Sequence, residues 1–147
     1  MICNIKIKKM KENAKIPTRG SKYAAGYDLY ACIDEDVLIM PHETIKIGTG
    51  IAMNLPSGNF GAIFARSGLA TKQSLRPANC VGVVDEDYTG EIIVALHNDS
   101  DNKKVVVPNE RIAQFVLIPY NTMSFIEVNE LDKTARGDNG FGSTGNK

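Results

Sequence analysis

Apolar and polar residues alternate in short runs along most of this chain, and turn residues separate the runs. Ile5 and Ile7 alternate with Asn4, Lys6 and Lys8, the period-two signature of a strand with one buried face. The same reading predicts strands over 27–33, 37–40, 44–54, 59–65, 91–97, 104–107, 112–118 and 124–128. Within 91–97 the run Ile92-Ile93-Val94-Ala95-Leu96 is apolar without interruption, as a strand covered on both faces would be. Proline at 41, 56, 108 and 119 breaks segments and opposes long helices. One stretch, 68–74, reads as about two turns of helix. Many short strands with Gly/Pro turns predict an all-β fold, a compact sandwich, barrel or jelly roll. It occupies residues 1–134 as one domain, and residues 135–147 form a glycine-rich arm expected to be flexible.

Composition narrows the function. The 147 residues are 43% hydrophobic and 23% charged, values ordinary for a globular domain with a real core. Seventeen basic and seventeen acidic residues give a net charge of +0. That balance argues against a general nucleic-acid or membrane-surface binder. No apolar run has the length of a signal-peptide core or a membrane span. Cys3, Cys32 and Cys80 are odd in number and widely spaced, which fits thiols in a reducing compartment. The cytoplasm is the default expectation, with nucleus and organelle left open.

Three polar clusters interrupt the strand pattern. Ala25-Gly26-Tyr27-Asp28-Leu29 reads as a turn entering a strand, with Asp28 as a cap. Arg66-Ser67-Gly68-Leu69-Ala70 places a cation, a hydroxyl and a glycine at a helix start, where free N–H groups can hold an anion. In Asn79-Cys80-Val81-Gly82-Val83-Val84-Asp85-Glu86-Asp87-Tyr88-Thr89-Gly90, an apolar strand runs into carboxylates and then into another apolar strand. The simple reading is a hairpin with an acidic turn. The functional reading is an acid held rigidly enough to activate a water. His42 and His97 stand alone, without metal-ligand spacing.

The last twelve residues, Arg136-Gly137-Asp138-Asn139-Gly140-Phe141-Gly142-Ser143-Thr144-Gly145-Asn146-Lys147, contain a G-x-G-x-x-G spelling. A dinucleotide site needs a helix after that spelling, and only two residues follow. A P-loop needs a lysine that is missing here. What remains is a backbone able to approach a ligand closely, one guanidinium suited to phosphate and one ring. Such an arm suits a flat, anionic ligand.

Taken in order, AGYDL, ARSGLA, NCVGVVDEDYTGE, NERIAQ and RGDNGFGSTG resemble the five ordered motifs of the trimeric deoxyuridine triphosphatases (dUTP diphosphatases). The resemblance runs from Ala25 to Gly145. It implies a β jelly roll assembled as a homotrimer, with active sites shared between subunits. It also implies hydrolysis of dUTP to dUMP and diphosphate with Mg²⁺, which limits uracil in DNA and supplies dUMP for thymidylate synthesis.

Carried over to this chain, the resemblance gives Asp28 a hold on Mg²⁺ through coordinated water. It gives Arg66, Ser67 and Gly68 the phosphates of a neighbour's nucleotide. Asn79 and the backbone of Gly82, Val83, Val84 and Asp85 would hold uracil and deoxyribose, and Asp85 would deprotonate the attacking water. Tyr88 would pack against the sugar and exclude a 2′-hydroxyl, and backbone near Ile93 would touch the base. Gln114 would contact the phosphates. In the arm, Arg136 would bind the γ-phosphate, Phe141 would stack on uracil, and Gly142 with Ser143 would wrap the phosphate chain. Two positions depart from the usual motifs. Ala65 replaces a proline, and Asn109-Glu110-Arg111 replaces Gly-Asp-Arg, which puts the turn geometry there in question. Two other readings stay open: a dCTP deaminase of the same fold, and a nucleotide-gated regulatory binding protein.

Overall fold

The computed structural model describes residues 3–79, 81–138 and 140. Its described elements are almost all strands: β1 (Lys6–Lys9), β2 (Thr18–Arg19), β3 (Tyr27–Tyr30), β4 (Val37–Ile39), β5 (Thr44–Gly48), β6 (Ile51–Asn54), β7 (Asn59–Phe64), β8 (Leu75–Pro77), β9 (Gly82–Val84), β10 (Ile93–Asn98), β11 (Lys104–Val106) and β12 (Arg111–Pro119), with one helix, α1 (Ser67–Gln73). The largest sheet has the order β2-β3-β12-β7-β9, and smaller sheets are β5-β10-β8, β1-β6 and β11-β4. Every pairing is antiparallel. The all-β, jelly-roll-like architecture expected from the alternation is therefore present.

The core follows from the same alternation. Leu29, Ile39, Ile47, Ile51, Leu75, Ile92, Leu96 and Ile112 are fully buried and belong to one cluster. Along β10 the alternation is strict: Val94, Leu96 and Asn98 point inward, and Ile93, Ala95 and His97 do not. Burial of each large aliphatic side chain contributes about 1.5–3 kcal/mol. Asn98 is the polar exception. Its amide donates to the carbonyls of Ile39, Met40 and Asn102, and its oxygen accepts from Ser100, so no buried polar group is orphaned there.

Three expectations fail. The run 44–54 is two strands, because Gly50 turns the chain at φ 67°. Glu91 Oε1 accepts the Gly50 N–H at 2.8 Å, and Thr49 Oγ1 donates to the Ile92 carbonyl at 2.6 Å. This kink sends β5 to pair with β10 and β6 to pair with β1. The stretch 124–128 is not a strand. It runs without partners, and Phe125 and Ile126 are 87% and 82% exposed. Finally, β9 and β10 form no hairpin: β9 pairs with β7, while β10 pairs with β5 and β8. The acidic segment is a crossing between sheets rather than a tight turn. The helix falls where expected, one residue earlier, and Ser74 ends it in the left-handed region at φ 57°.

Candidate active site

The middle of the large sheet brings the first cluster together. β12 lies between β3 and β7, so Gln114 faces Asp28 on one side and Phe64 on the other. Just beyond Phe64 the chain leaves the sheet, and Arg66 becomes the residue preceding α1. Its Nε donates to Asp28 Oδ1 at 2.8 Å, and Arg111 Nη1 donates to Asp28 Oδ2 at 3.2 Å. Arg66 Nη1 also donates to the Arg111 carbonyl at 3.3 Å. The Asp28 side chain is only 12% exposed, so its charge is held by two guanidinium groups. One anion between two cations leaves the corner with an excess positive charge, suited to phosphate oxygens.

Gln114 fixes the geometry of this corner. Its Nε2 donates to the Ala65 carbonyl at 2.9 Å. Its Oε1 lies 2.4 Å from where a Cβ on Gly26 would stand, so only glycine lets the amide reach past β3. The bond to residue 65 restrains the chain directly before Arg66. The departure at Asn109-Glu110-Arg111 is accommodated. Asn109 takes φ 65°, a left-handed conformation that asparagine tolerates. Glu110 then closes its own turn, accepting the Val107 N–H at 3.1 Å.

Beside the corner lies an open cleft of about 520 Å³ lined by Tyr30, Arg66, Gly68, Lys72, Asn109 and Arg111, among others. Ser67 and Gly68 are exposed at the start of α1. A Cβ on Gly68 would meet nothing within 4 Å, so packing within this chain does not demand glycine there. The first turn of α1 carries no acidic side chain, so none there would repel an anion.

The second cluster lies elsewhere. Gly82 is buried against Ile63, whose Cβ would be 3.0 Å from an added methyl, so this glycine serves the β7–β9 contact. Asn79 and Ile93 line one small hollow of about 190 Å³ with Ile63, Pro77 and Val94. Val83 and Asp85 line another depression with Phe60, Glu86, Asp87 and Tyr120. Val84 is paired with Gly61, which fixes the backbone on one side of Asp85. Tyr88 N–H donates to the Asp85 carbonyl at 3.1 Å, and the Tyr88 hydroxyl donates to the Glu91 carbonyl at 2.9 Å. The ring folds over Gly90, where a Cβ would lie 2.6 Å from the phenol oxygen. Among the described residues, no side chain bonds the Asp85 carboxylate, which is exposed.

Asp28, Arg66 and Gln114 thus meet in one corner, and Asn79, Gly82 and Ile93 share another neighbourhood. The Arg66 cleft and the Asp85 depression have no lining residue in common. Arg136 is exposed in the described part of the arm. Phe141, Gly142 and Ser143 lie outside the described residues, as does Cys80. The sequence reading missed Arg111, although it quoted the motif containing it. The residue's role depends on a cross-strand position opposite Tyr30 and not on local spelling. His42 and His97 lie away from both clusters, bonded to Asp101 and Thr44. No group of three or more His, Cys, Asp or Glu side chains among the described residues is arranged to hold a metal ion.

Comparisons with known proteins identify the family. A dUTPase family model matches residues 12–145. The deoxyuridine 5′-triphosphate nucleotidohydrolase of Hydrogenobaculum sp. is 44% identical over 141 residues, covering 96% of this chain and 97% of that one. The enzyme of the same name from Desulfitobacterium hafniense is 48% identical over 132 residues, covering 89% and 87%. Among solved structures, the dUTPase of Staphylococcus bacteriophage 80alpha with dUpNHpp superposes with a TM-score of 0.87 at 29% identity, over 97% of this chain and 98% of that one.

Proposed function

The chain belongs to the dUTPase family and acts as a dUTP diphosphatase, and we propose that its chemistry is divided between the two clusters just described. The observation that supports this division is the contrast between a cation-lined cleft at Arg66 and an exposed Asp85 carboxylate to which no described side chain is bonded. A triphosphate needs charge stabilisation and positioning more than covalent help. Arg66, with Ser67 and Gly68 behind it, binds the phosphates, and Gln114 keeps that corner in place while it faces them. Asp85 takes a proton from the water that attacks the α-phosphorus, and diphosphate leaves. Asn79 and the backbone of Gly82, Val83, Val84 and Asp85 read uracil, helped by backbone at Ile93. Fixed N–H and C=O groups distinguish uracil from cytosine because a mispaired buried group costs about 1–3 kcal/mol. Tyr88, pinned over Gly90, closes the sugar side. Arg136, Phe141, Gly142 and Ser143 complete the grip as a lid.

Among the described residues the Arg66 cleft and the Asp85 depression have no lining residue in common, which supports sites completed by neighbouring subunits of a homotrimer. The exposed apolar residues of 123–131, Phe125 and Ile126 among them, fit the same assembly, since they find no core in their own chain. For the metal, the fit rests on Asp28. Each of its oxygens accepts one guanidinium bond and keeps a second lone pair. Mg²⁺ typically retains several waters and takes one or two carboxylates besides substrate phosphates. Asp28 would therefore hold it through water, and the ion would supply charge neutralisation at the phosphates. Among the described residues no helix is long and apolar enough to cross a membrane, and the proposed setting is the cytoplasm.

The test is hydrolysis of dUTP, dCTP, dTTP and UTP by the purified protein, with and without Mg²⁺. Release of dUMP and diphosphate from dUTP alone is expected. Ammonia from dCTP would point to the deaminase chemistry instead. A chain ending at Thr134 should keep its fold and lose most activity; full activity without the arm would remove the lid from this account.

A further inference from the structure

The residue after the proposed base is tied into the body of the protein while the base itself is left free. Glu86 is half-buried, and its side chain turns away from Asp85 toward the turn between β6 and β7. There the Gly58 N–H donates to Glu86 Oε2 at 2.6 Å, and the Ser57 hydroxyl reaches Oε1 at 3.4 Å. The first is short, as a hydrogen bond to an ionised acceptor should be. Gly58 takes φ 74°, and that twist belongs to the same turn that aims its N–H at the carboxylate. The turn is itself anchored, because Tyr120 N–H donates to the Gly58 carbonyl at 3.0 Å and Asn59 N–H to the Pro56 carbonyl at 3.2 Å. The Tyr120 side chain lines the same depression as Glu86, and its ring packs edge-on against Phe60 at a centroid distance of 6.4 Å. A loop residue thus grips a rigid corner of the β6–β7–β12 region.

We propose that Glu86 is a positioning residue for the reaction. Its carboxylate, held by Gly58 and Ser57, fixes the backbone from which Asp85 projects. The inference rests on the reading of Asp85 as the general base. On one side Asp85 is already fixed by the Val84–Gly61 pairing. On the other side the chain crosses between sheets, and no hairpin ladder stiffens it. Glu86 supplies the second fixed point. Its carboxylate is turned to the β6–β7 turn, with one oxygen taken by the Gly58 N–H and the other by the Ser57 hydroxyl, so its described bonds are structural ones. A base must stay within hydrogen-bond reach of its proton, and a displacement of ~1 Å can cost about a hundredfold in rate.

The experiment compares Glu86→Ala, Glu86→Gln and the double variant Glu86→Ala with Tyr120→Phe against the unmodified protein and Asp85→Asn, reading kcat and KM for dUTP separately. Glu86→Ala should lower kcat about 10–100-fold with KM within about threefold, as expected when an interaction serves the transition state and not ground-state binding. Glu86→Gln keeps one acceptor for the Gly58 N–H and should recover most of the loss. Should the alanine variant fail to fold, the glutamine variant is compared with Tyr120→Phe alone. The double variant should lose nothing beyond Glu86→Ala, since Tyr120 stands beside the same carboxylate and would act only through it. An unchanged kcat in Glu86→Ala, a rise in KM alone, a glutamine variant as poor as the alanine one, or losses that simply add would each overturn the proposal. Asp85→Asn distinguishes the two levels of the argument. If it is active, the base assignment fails. If it is inactive while Glu86→Ala behaves like the unmodified protein, only the positioning role fails.

Discussion

Asp28 and Asp85 are both acids of the proposed site, yet one is nearly enclosed between two guanidinium groups and the other stands in solvent, with no described side chain bonded to it. The Asp28 corner is built by opposite charges meeting from β3, β12 and the residue that precedes α1. Its arginines are oriented before any ligand arrives, and their remaining donors face a cleft. The Asp85 segment is built by backbone pairing and by ties on its neighbours, Glu86 and Tyr88. The difference follows from the chemistry each half performs. Phosphate binding requires cations held in register, and a bonded carboxylate is the means of holding them. Proton abstraction requires a carboxylate whose lone pairs are available, so the restraint has to fall on the residues beside it.

That contrast predicts different failures. Asp85→Asn should lower kcat by about 10²–10⁴-fold, the usual worth of general-base help, with little change in the urea midpoint, because the side chain is exposed and unbonded. A large loss of stability would break the comparison on that side. Asp28→Asn should do the reverse in kind. It leaves Arg66 and Arg111 facing one another without a full counter-charge, and should lower unfolding free energy by about 1–3 kcal/mol. That is less than for a fully buried pair, because Arg66 and Arg111 remain 27% and 50% exposed. Chemical denaturation measures it, with activity falling alongside.

The smallest effect concerns Tyr120. Hydrogen bonding to Glu86, then burial and the Glu86, Asp85 and Asp87 charges, hold its phenol above the ordinary tyrosine range. An acid raised on folding stabilises the fold below its unfolded value, near 10, and that contribution disappears as pH rises through the folded value. Ultraviolet titration should show a late phenol from Tyr120. It should vanish in Tyr120→Phe and return toward the ordinary range in Glu86→Gln, which sharpens the difference between a tied neighbour and a free base.

Local pattern carried the strands and failed where a partner decides. Alternation around Ile45, Ile47 and Ile51 read as one strand because the interruption at Gly50 depends on Glu91, 41 residues away. The 124–128 run has strand-like residues and no neighbour strand among the described residues. The acidic segment looked like a hairpin because its two flanks are apolar, whereas pairing sends those flanks to different sheets. In the site, residue types in order named Asp28, Arg66, Asp85 and Gln114. They did not name Arg111 or Glu86, whose roles exist only through contacts 83 and 28 residues distant.

The position of β12 at the centre of the large sheet has a consequence for how the protein comes to be folded. Until residues 111–119 are available, β3 with β2 and β7 with β9 are two fragments whose facing edges have nothing between them. The sheet cannot zip progressively from the amino terminus. It closes by insertion of a late strand between two early ones, a topology of long sequence separations that slows folding. Until that insertion, two strand edges stand open to pairing with other chains. Closure and the assembly of the Asp28–Arg66–Gln114 corner are then the same event, so a chain without β12 would have neither the sheet nor the phosphate cleft.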